Sequence, residues 1–332
     1  MVAWAKTRRL VRQAVSEQLG YAMLYSSLNL TGTDTLRCSS SNPNSQNVSK
    51  QELALLDGGR GRTIRYVFGP LPGREWWSAD AQNIELRLPG YEAGEEAMVA
   101  LFERPNDPPY FGSYHMLIFD LLHPEKFAEY GMKCKEVYGD TWYQWTKNGN
   151  FAVGYGSVEE SGTADRTYHV PGAFRKIKGL FSKIHGKGGL NEQQIKFAER
   201  RGYVETMPDR TVDPTRGYPL LCARTNYGRI KPTVPLNYHV QGSAMWWMGK
   251  AMVRCYEYLR SLGDFRLIMQ VHDELVFDFP AGSGPEPWRT NLPRIRKIKH
   301  LMEEGGRDLG VPTPVQVKYH PHNWGEGIVV AL

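Results

Sequence analysis

Cysteine is scarce, and its spacing argues against its usual structural uses. Cys38, Cys134, Cys222 and Cys255 are widely scattered, with no Cys-x-x-Cys pair. That speaks against both a zinc centre and a disulfide framework, and fits a reducing cytoplasm. Long apolar runs are missing too: nothing approaches the roughly 18 residues of a membrane span. The opening Met-Val-Ala-Trp-Ala-Lys-Thr-Arg-Arg has no apolar core of a secretory signal. There is no internal repeat and no long low-complexity tract. Together these absences argue against a membrane-spanning protein and a disulfide-stapled secreted domain.

What remains is an ordinary globular composition of 332 residues, 41% apolar and 23% charged, enough to bury a core and form two subdomains. The net charge of +6 fits a polyanionic partner, and equally a generic basic protein. Arg175, Lys176, Lys178, Lys183, Lys187, Lys196, Arg200 and Arg201 crowd one region, with Phe174, Phe181 and Phe197 between them. An amphipathic helix pair with a solvated basic face accounts for that cluster better than a dedicated nucleic-acid groove does.

The pattern predicts a basic amphipathic helix over 4–24, polar loop with short extended pieces over 25–50, and strands at 63–68 and 76–80. Mostly helix follows from 91 to 205, and one long helix covers 241–262, with Met245, Met248, Met252 and Leu259 buried. A hairpin spans 267–279, where two β-prone runs flank the polar tip His272-Asp273-Glu274. A helix near 290–305 and a strand over 315–319 close the chain. Strands at both ends around a helical block predict an α+β fold: an antiparallel sheet with packed helices and an inserted helical subdomain.

Two acidic strand ends carry the chemistry. Asp80 and Asp273, if they meet, can hold two divalent cations ~4 Å apart around an attacking and a leaving oxygen. Lys147, Phe151 and Tyr155, spaced i, i+4 and i+8, share one helix face. A cation beside two rings suits a nucleoside triphosphate. It also suits an amphipathic helix with a core Phe and Tyr and a snorkelling Lys.

Seven motifs occur in order: Thr35-Leu36-Arg37, Pro43-Asn44-x-Gln46-Asn47, Asp80 with Asn83-Ile84-Glu85-Leu86-Arg87, Lys147-x3-Phe151-x3-Tyr155-Gly156, Gly202-Tyr203-Val204-Glu205-Thr206, Gln241-Gly242-Ser243 and Val271-His272-Asp273-Glu274. In this order, and with the tail Asn323-Trp324-Gly325-Glu326, the chain resembles the family A DNA polymerases, polymerase I-like and phage in style, through their palm and fingers. The resemblance implies a DNA-templated DNA polymerase core with boundaries 1–87 (basic helix and first part of the palm), 88–222 (fingers) and 223–332 (second part of the palm). It implies two Mg²⁺ ions, for which Mn²⁺ can substitute, held by Asp80, Asp273 and the backbone carbonyl of Ala81, with Glu274 supporting them. By the same likeness Lys147 meets the triphosphate, Phe151 the sugar and Tyr155 the templating position. Glu85 is the steric gate against a ribose 2′-hydroxyl, and Asn83 and His115 complete the nucleotide site. Primer–template DNA is contacted by Arg37, Asn44, Gln46, Asn47, Arg87, Gly156, Asn237, Gln241 and His272.

Tyr143 stands where the family usually has an arginine, and Thr233 where another is expected. Only 36 residues precede Arg37, so the expectation is a core without its own thumb or proofreading exonuclease. A separately encoded chain, or an upstream part absent from this sequence, would supply both, the partners would be DNA and dNTPs with no membrane, and the location a bacterial host's cytoplasm. A single-subunit RNA polymerase, and a catalytically weak duplex-binding subunit, are the other readings open at this point.

Overall fold

The computed structural model describes residues 25–30, 32–48, 52–54, 60–139, 141–154, 163–284 and 286–332. Short strands come first: β1 (Ser27–Asn29) pairs with β2 (Ser39–Ser41), and β3 (Glu52–Ala54) with β4 (Arg60–Thr63). The long strand β5 (Arg74–Ala81) follows, then α1 (Ile84–Glu92), α2 (Glu96–Glu103), α3 (Tyr114–Leu122), α4 (Pro124–Tyr130), α5 (Cys134–Val137) and α6 (Trp142–Gly154). Next come α7 (Thr163–Tyr168), α8 (Ala173–Leu180), α9 (Ser182–His185), α10 (Leu190–Arg201), and the hairpin β6 (Tyr203–Glu205) with β7 (Pro219–Leu221). The chain ends with α11 (Val234–Arg260), β8 (Arg266–Val271), β9 (Glu274–Pro280), α12 (Leu292–Leu309), β10 (Val315–His320) and β11 (Ile328–Val330).

Two compact units emerge. One holds residues 1–82, 248–305 and 314–332; the other holds 83–247 and 306–313. These bounds differ from the expected 88–222 excursion: the second unit opens at Asn83 and takes in the first half of α11.

The first unit is organised by an antiparallel sheet in the order β11-β10-β5-β9-β8. Strand β9 is buried at every position before Pro280, and its near-continuous apolar run is what a strand covered on both faces requires. Pro280 has no N–H to give and ends the ladder. In β5, Trp77 and Ala79 are fully buried. The carboxylate of Glu75 is also buried, and accepts from Trp77 Nε1 at 2.8 Å and Asn291 Nδ2 at 2.7 Å. On α12, Ile295, Ile298 and Met302 are fully buried, the i, i+3, i+7 stripe of an amphipathic helix.

The second unit is helical, with Ile118, Val153, Tyr168, Ile177 and Phe181 at its centre. Phe174 and Phe181 point inward while the lysines around them stay outside, so the basic cluster is a solvated helical face. Gly149 on α6 decides how closely α7 approaches. A Cβ there would lie 2.4 Å from the Tyr168 ring.

Several expected elements are corrected. The helix over 4–24 lies outside the described residues. Residues 64–67 form a 3-10 turn instead of continuing a strand. Their β-branched alternation loses to the need to turn Arg65 inward, leaving it 7% exposed, while Val67 stays in solvent. The long helix begins at Val234, seven residues before expectation. Pro235 falls in its first turn, where a missing N–H costs little. Met252 is only half-buried, unlike Met245, Met248 and Leu259. Strand β11 has no counterpart in the expected elements.

Gly149→Ala tests the helical packing. In an exposed helix this change stabilises by about 1 kcal/mol. Against the Tyr168 ring it is expected to destabilise by roughly 1–3 kcal/mol, read as a lowered urea midpoint with an unchanged m-value.

Candidate active site

Strands β8 and β9 are joined by two residues, His272 and Asp273, with Val271 paired to Glu274 across the turn. His272 takes a left-handed φ of +58°, a conformation that costs a non-glycine residue ~1 kcal/mol or more. That strain is spent on a tight tip that fixes where Asp273 begins. On the other side of β9, Asp80 is in register with Glu274, and the Ala81 N–H donates to the Asp273 carbonyl at 3.1 Å. Residues paired directly across a sheet project to the same face. The strand end bearing Asp80 and the turn bearing Asp273 are therefore neighbours, although 193 positions separate them in the chain.

Arg65 answers this concentration of negative charge, and the sequence reading missed it. Its guanidinium lies 3.6 Å from the Glu274 carboxylate and stacks 3.7 Å from the Trp324 ring centre. The Trp324 indole N–H also reaches Glu274, at 3.4 Å. Burial pulls the Arg65 pKa down, while Glu274 and then Asp80 pull it up. Glu274 is thus a 6% exposed carboxylate held between a cation and an indole. Nothing in the local sequence marks Arg65, because the Glu274 and Trp324 that hold its guanidinium lie more than 200 residues downstream.

The donors gathered here are carboxylates and a backbone carbonyl, hard oxygens of the kind magnesium takes. Among the described residues no group of three or more His, Cys, Asp or Glu could hold a metal by itself. Mg²⁺ commonly uses one or two carboxylates and completes its shell with water and substrate phosphates, so a two-aspartate site fits it.

Of the expected DNA contacts in this unit, Gln46 and His272 are brought together. Gln46 Nε2 donates to Gln270 Oε1 at 2.7 Å, and Gln270 Nε2 donates to the His272 carbonyl at 2.5 Å. Asn44 caps a 3-10 turn over 45–47, accepting from the Asn47 N–H at 3.2 Å. Arg37 is half-buried, and its carbonyl accepts from Thr33 Oγ1 at 2.9 Å.

The helical unit holds the remainder. Asn83, at the start of α1, has a left-handed φ of +55°, and Glu85 sits in the first turn, where the helix dipole favours an acid. His115 and Lys147 are close enough for Lys147 to depress the His115 pKa, though burial is the larger cause; together they push it down to about 4. The Tyr168 hydroxyl donates to Asn150 Oδ1 at 2.7 Å, and Asn150 Nδ2 meets His115 Nδ1 at 2.7 Å. The ring is neutral at physiological pH, and its Nδ1 is turned to Asn150. Phe151 lies on α6, while Tyr155 and Gly156 lie outside the described residues. Tyr143 packs in an aromatic cluster with Phe119, Phe127 and Tyr138. Tyr143 therefore serves packing in this chain.

The Gln241-Gly242-Ser243 motif is explained by close approach. A Cβ on Gly242 would meet Leu220 Cδ1 at 2.3 Å. The Ser243 hydroxyl accepts from the Met207 N–H at 2.7 Å and donates to the His239 carbonyl at 2.6 Å. Gln241 is 9% exposed, and Asn237 Oδ1 is buried without a hydrogen-bond partner, an acceptor left for something else to satisfy. One expectation is corrected. Arg87 is 4% exposed, with its guanidinium on the Phe102 ring and donating to the carbonyls of Phe102 and Pro312. That is a core cation's environment, not a DNA contact's.

The architecture is that of an α+β protein whose antiparallel sheet carries a paired acidic tip. The family model for DNA polymerase family A matches residues 4–326, and the chain belongs to that family. It is 29% identical over 311 residues to DNA polymerase I of Chloroflexus aurantiacus, covering 93% of this chain and 30% of that protein. With the thermostable DNA polymerase I of Thermus aquaticus the identity is 28% over 295 residues, 89% of this chain and 32% of the relative. The chain thus spans about a third of the length of the curated relatives it matches. Among solved structures, the POL domain of Pol1 from M. smegmatis, in complex with DNA primer-template and dNTP, superposes with a TM-score of 0.71. The identity is 20%, over 97% of this chain and 51% of that one.

The buried pair gives a stability test. Arg65→Ala leaves Glu274 without its cation and is expected to cost roughly 3 kcal/mol. Combining it with Glu274→Gln should restore part of that loss in a double-mutant cycle read by urea denaturation.

Proposed function

We propose that this chain is the palm-and-fingers core of a DNA-templated DNA polymerase, adding deoxynucleoside monophosphates to a primer 3′ end. The observation that carries the reading is the β5–β9 register, with Asp80 beside the turn of Asp273, in a chain that belongs to family A. The sheet unit takes the palm role and the helical unit the fingers.

Asp80, Asp273 and the Ala81 carbonyl would hold Mg²⁺. Divalent cations bound there would supply acidification of the primer hydroxyl and neutralisation of charge on the α-phosphate and pyrophosphate. Glu274, clamped by Arg65 and Trp324, keeps the end of β9 in place. Lys147 offsets triphosphate charge and holds a proton at Nζ for the leaving pyrophosphate. His115 is a hydrogen-bonding ring there, not a second cation. Phe151 packs on the sugar, Tyr155 on the templating base, and Glu85 occupies the place of a 2′-hydroxyl. Asn237 and Gln241 present polar groups to the minor groove, where such contacts test pair shape without reading sequence.

Primer extension tests this. With Mg²⁺ and dNTPs the chain should extend a primed template, and EDTA should stop it. Asp80→Ala and Asp273→Ala are each expected to lose about 10²–10³-fold or more, the scale for removing one preorganised electrostatic group. Glu85→Ala should narrow the preference for dNTP over rNTP by roughly 10–100-fold. Full extension by Asp273→Ala would refute the assignment.

A further inference from the structure

Between β7 and α11 the chain makes a small hairpin that none of the roles above uses. Arg224 bridges Ile230, the Thr225 N–H donates to the Arg229 carbonyl at 2.7 Å, and the Gly228 N–H donates to the Thr225 carbonyl at 2.9 Å. With Gly228 at φ +77°, this is the three-residue hairpin loop that combines a β-turn with a glycine bulge. The Arg224 guanidinium closes it from the side, donating to the Gly228 carbonyl at 2.7 Å. At the tip of this pinned turn stands Tyr227, 92% exposed.

A ring so exposed adds nothing to the core, yet the turn beneath it is pinned by three hydrogen bonds. The surroundings are cationic. Residues 222–233 contain Arg224, Arg229 and Lys231 and no Asp or Glu, and all three cations are exposed. Gly202, the cap of α10, lies against Arg224, which brings the exposed Arg200 and Arg201 of the last helical turn to the same patch. Glu199 is the exposed acid in that turn, and Glu205 is taken up by Arg216 at 3.0 Å. A protruding aromatic ring rimmed by cations matches the two recognisable parts of an unpaired nucleotide strand: bases with π faces and phosphates with charge. A folded duplex offers no free base face to a ring at a hairpin tip.

We infer that the hairpin of residues 224–230 is a binding surface for single-stranded nucleic acid, Tyr227 stacking on an unpaired base while Arg229 and Lys231 hold the flanking phosphates. On the polymerase reading, the strand held is unpaired template. Tyr227 projects into solvent, so substitutions there should leave folding intact, which a thermal melt verifies.

The experiment is fluorescence anisotropy with 5′-fluorescein oligo(dT) of 20 residues and a blunt 20-base-pair duplex, without nucleotide or metal. Tyr227→Ala is expected to weaken oligo(dT) binding at least fivefold and duplex binding less than twofold, while Tyr227→Phe stays within twofold of the parent on both. Arg229→Ala with Lys231→Ala should flatten the log–log salt slope for oligo(dT) by about 1.4, from ~0.7 per phosphate. Three results would overturn the inference: unchanged oligo(dT) affinity in Tyr227→Ala, equal loss on single strand and duplex, or displacement of oligo(dT) by poly-glutamate as readily as by unlabelled oligo(dT). No turnover enters the measurement. A chain that extends primers but binds oligo(dT) without help from Tyr227 sinks this inference alone, and one that binds through Tyr227 but never extends a primer sinks the polymerase reading alone.

Discussion

The candidate site hangs on one antiparallel register. Asp80 opposes Glu274 only because β5 and β9 are paired from Arg74–Pro280 to Asp80–Glu274, and a slip of one residue would turn Asp80 to the other face of the sheet. Buried polar contacts far from the acids guard against that slip. Arg74 pairs with Asp278, whose carboxyl burial pushes its pKa up, and Trp76 Nε1 donates to the same carboxylate at 3.0 Å. Arg74 also reaches Asp264 at 2.6 Å. Glu75 accepts from Trp77 and Asn291. Each contact has one geometry, and a shifted strand would leave several buried polar groups without partners, at about 1–3 kcal/mol apiece. Apolar burial alone would tolerate slippage better than these do.

A fixed register creates an electrostatic problem. Three acidic residues, Asp80, Asp273 and Glu274, are held at one end of a sheet, where a lowered dielectric strengthens their repulsion. Arg65 is a partial answer, shared between Glu274 and Asp80 and covered by the Trp324 ring. Its stacking favours an arginine over a lysine, since a planar guanidinium can face an indole and a carboxylate together. Burial works against it, and on the polymerase reading a cation bound by the two aspartates would complete the balance.

Much of this could be read from the chain itself, and the exceptions have physical causes. The acidic hairpin was legible because two β-prone runs flank a two-residue polar tip, a short-range signal. The helix carrying Lys147 was legible, whereas the close approach of Leu220 to Gly242 was not, since it joins segments distant in the chain. Residues 63–68 were misread as strand because alternation says nothing of a distant tryptophan that draws Arg65 inward. Arg87 was misassigned for the opposite reason: an arginine beside a catalytic motif looks functional until its burial under Phe102 is known. Arg65 itself left no local trace. Local periodicity finds elements and tips; it does not find residues whose partners lie two hundred positions away.

The helical unit shows how burial redistributes charge within a likeness to relatives. Tyr143, one turn before Lys147, is committed to an aromatic cluster with Phe119 and Tyr138. His115 adds no positive charge, since burial and Lys147 push its pKa down to about 4 and leave the ring neutral. A proton added there would have to sit beside the Lys147 ammonium, away from water, while Tyr168 and Asn150 hold the ring in place. On the polymerase reading, the charge offered to the triphosphate from α6 and α3 is that of Lys147, and His115 adds none.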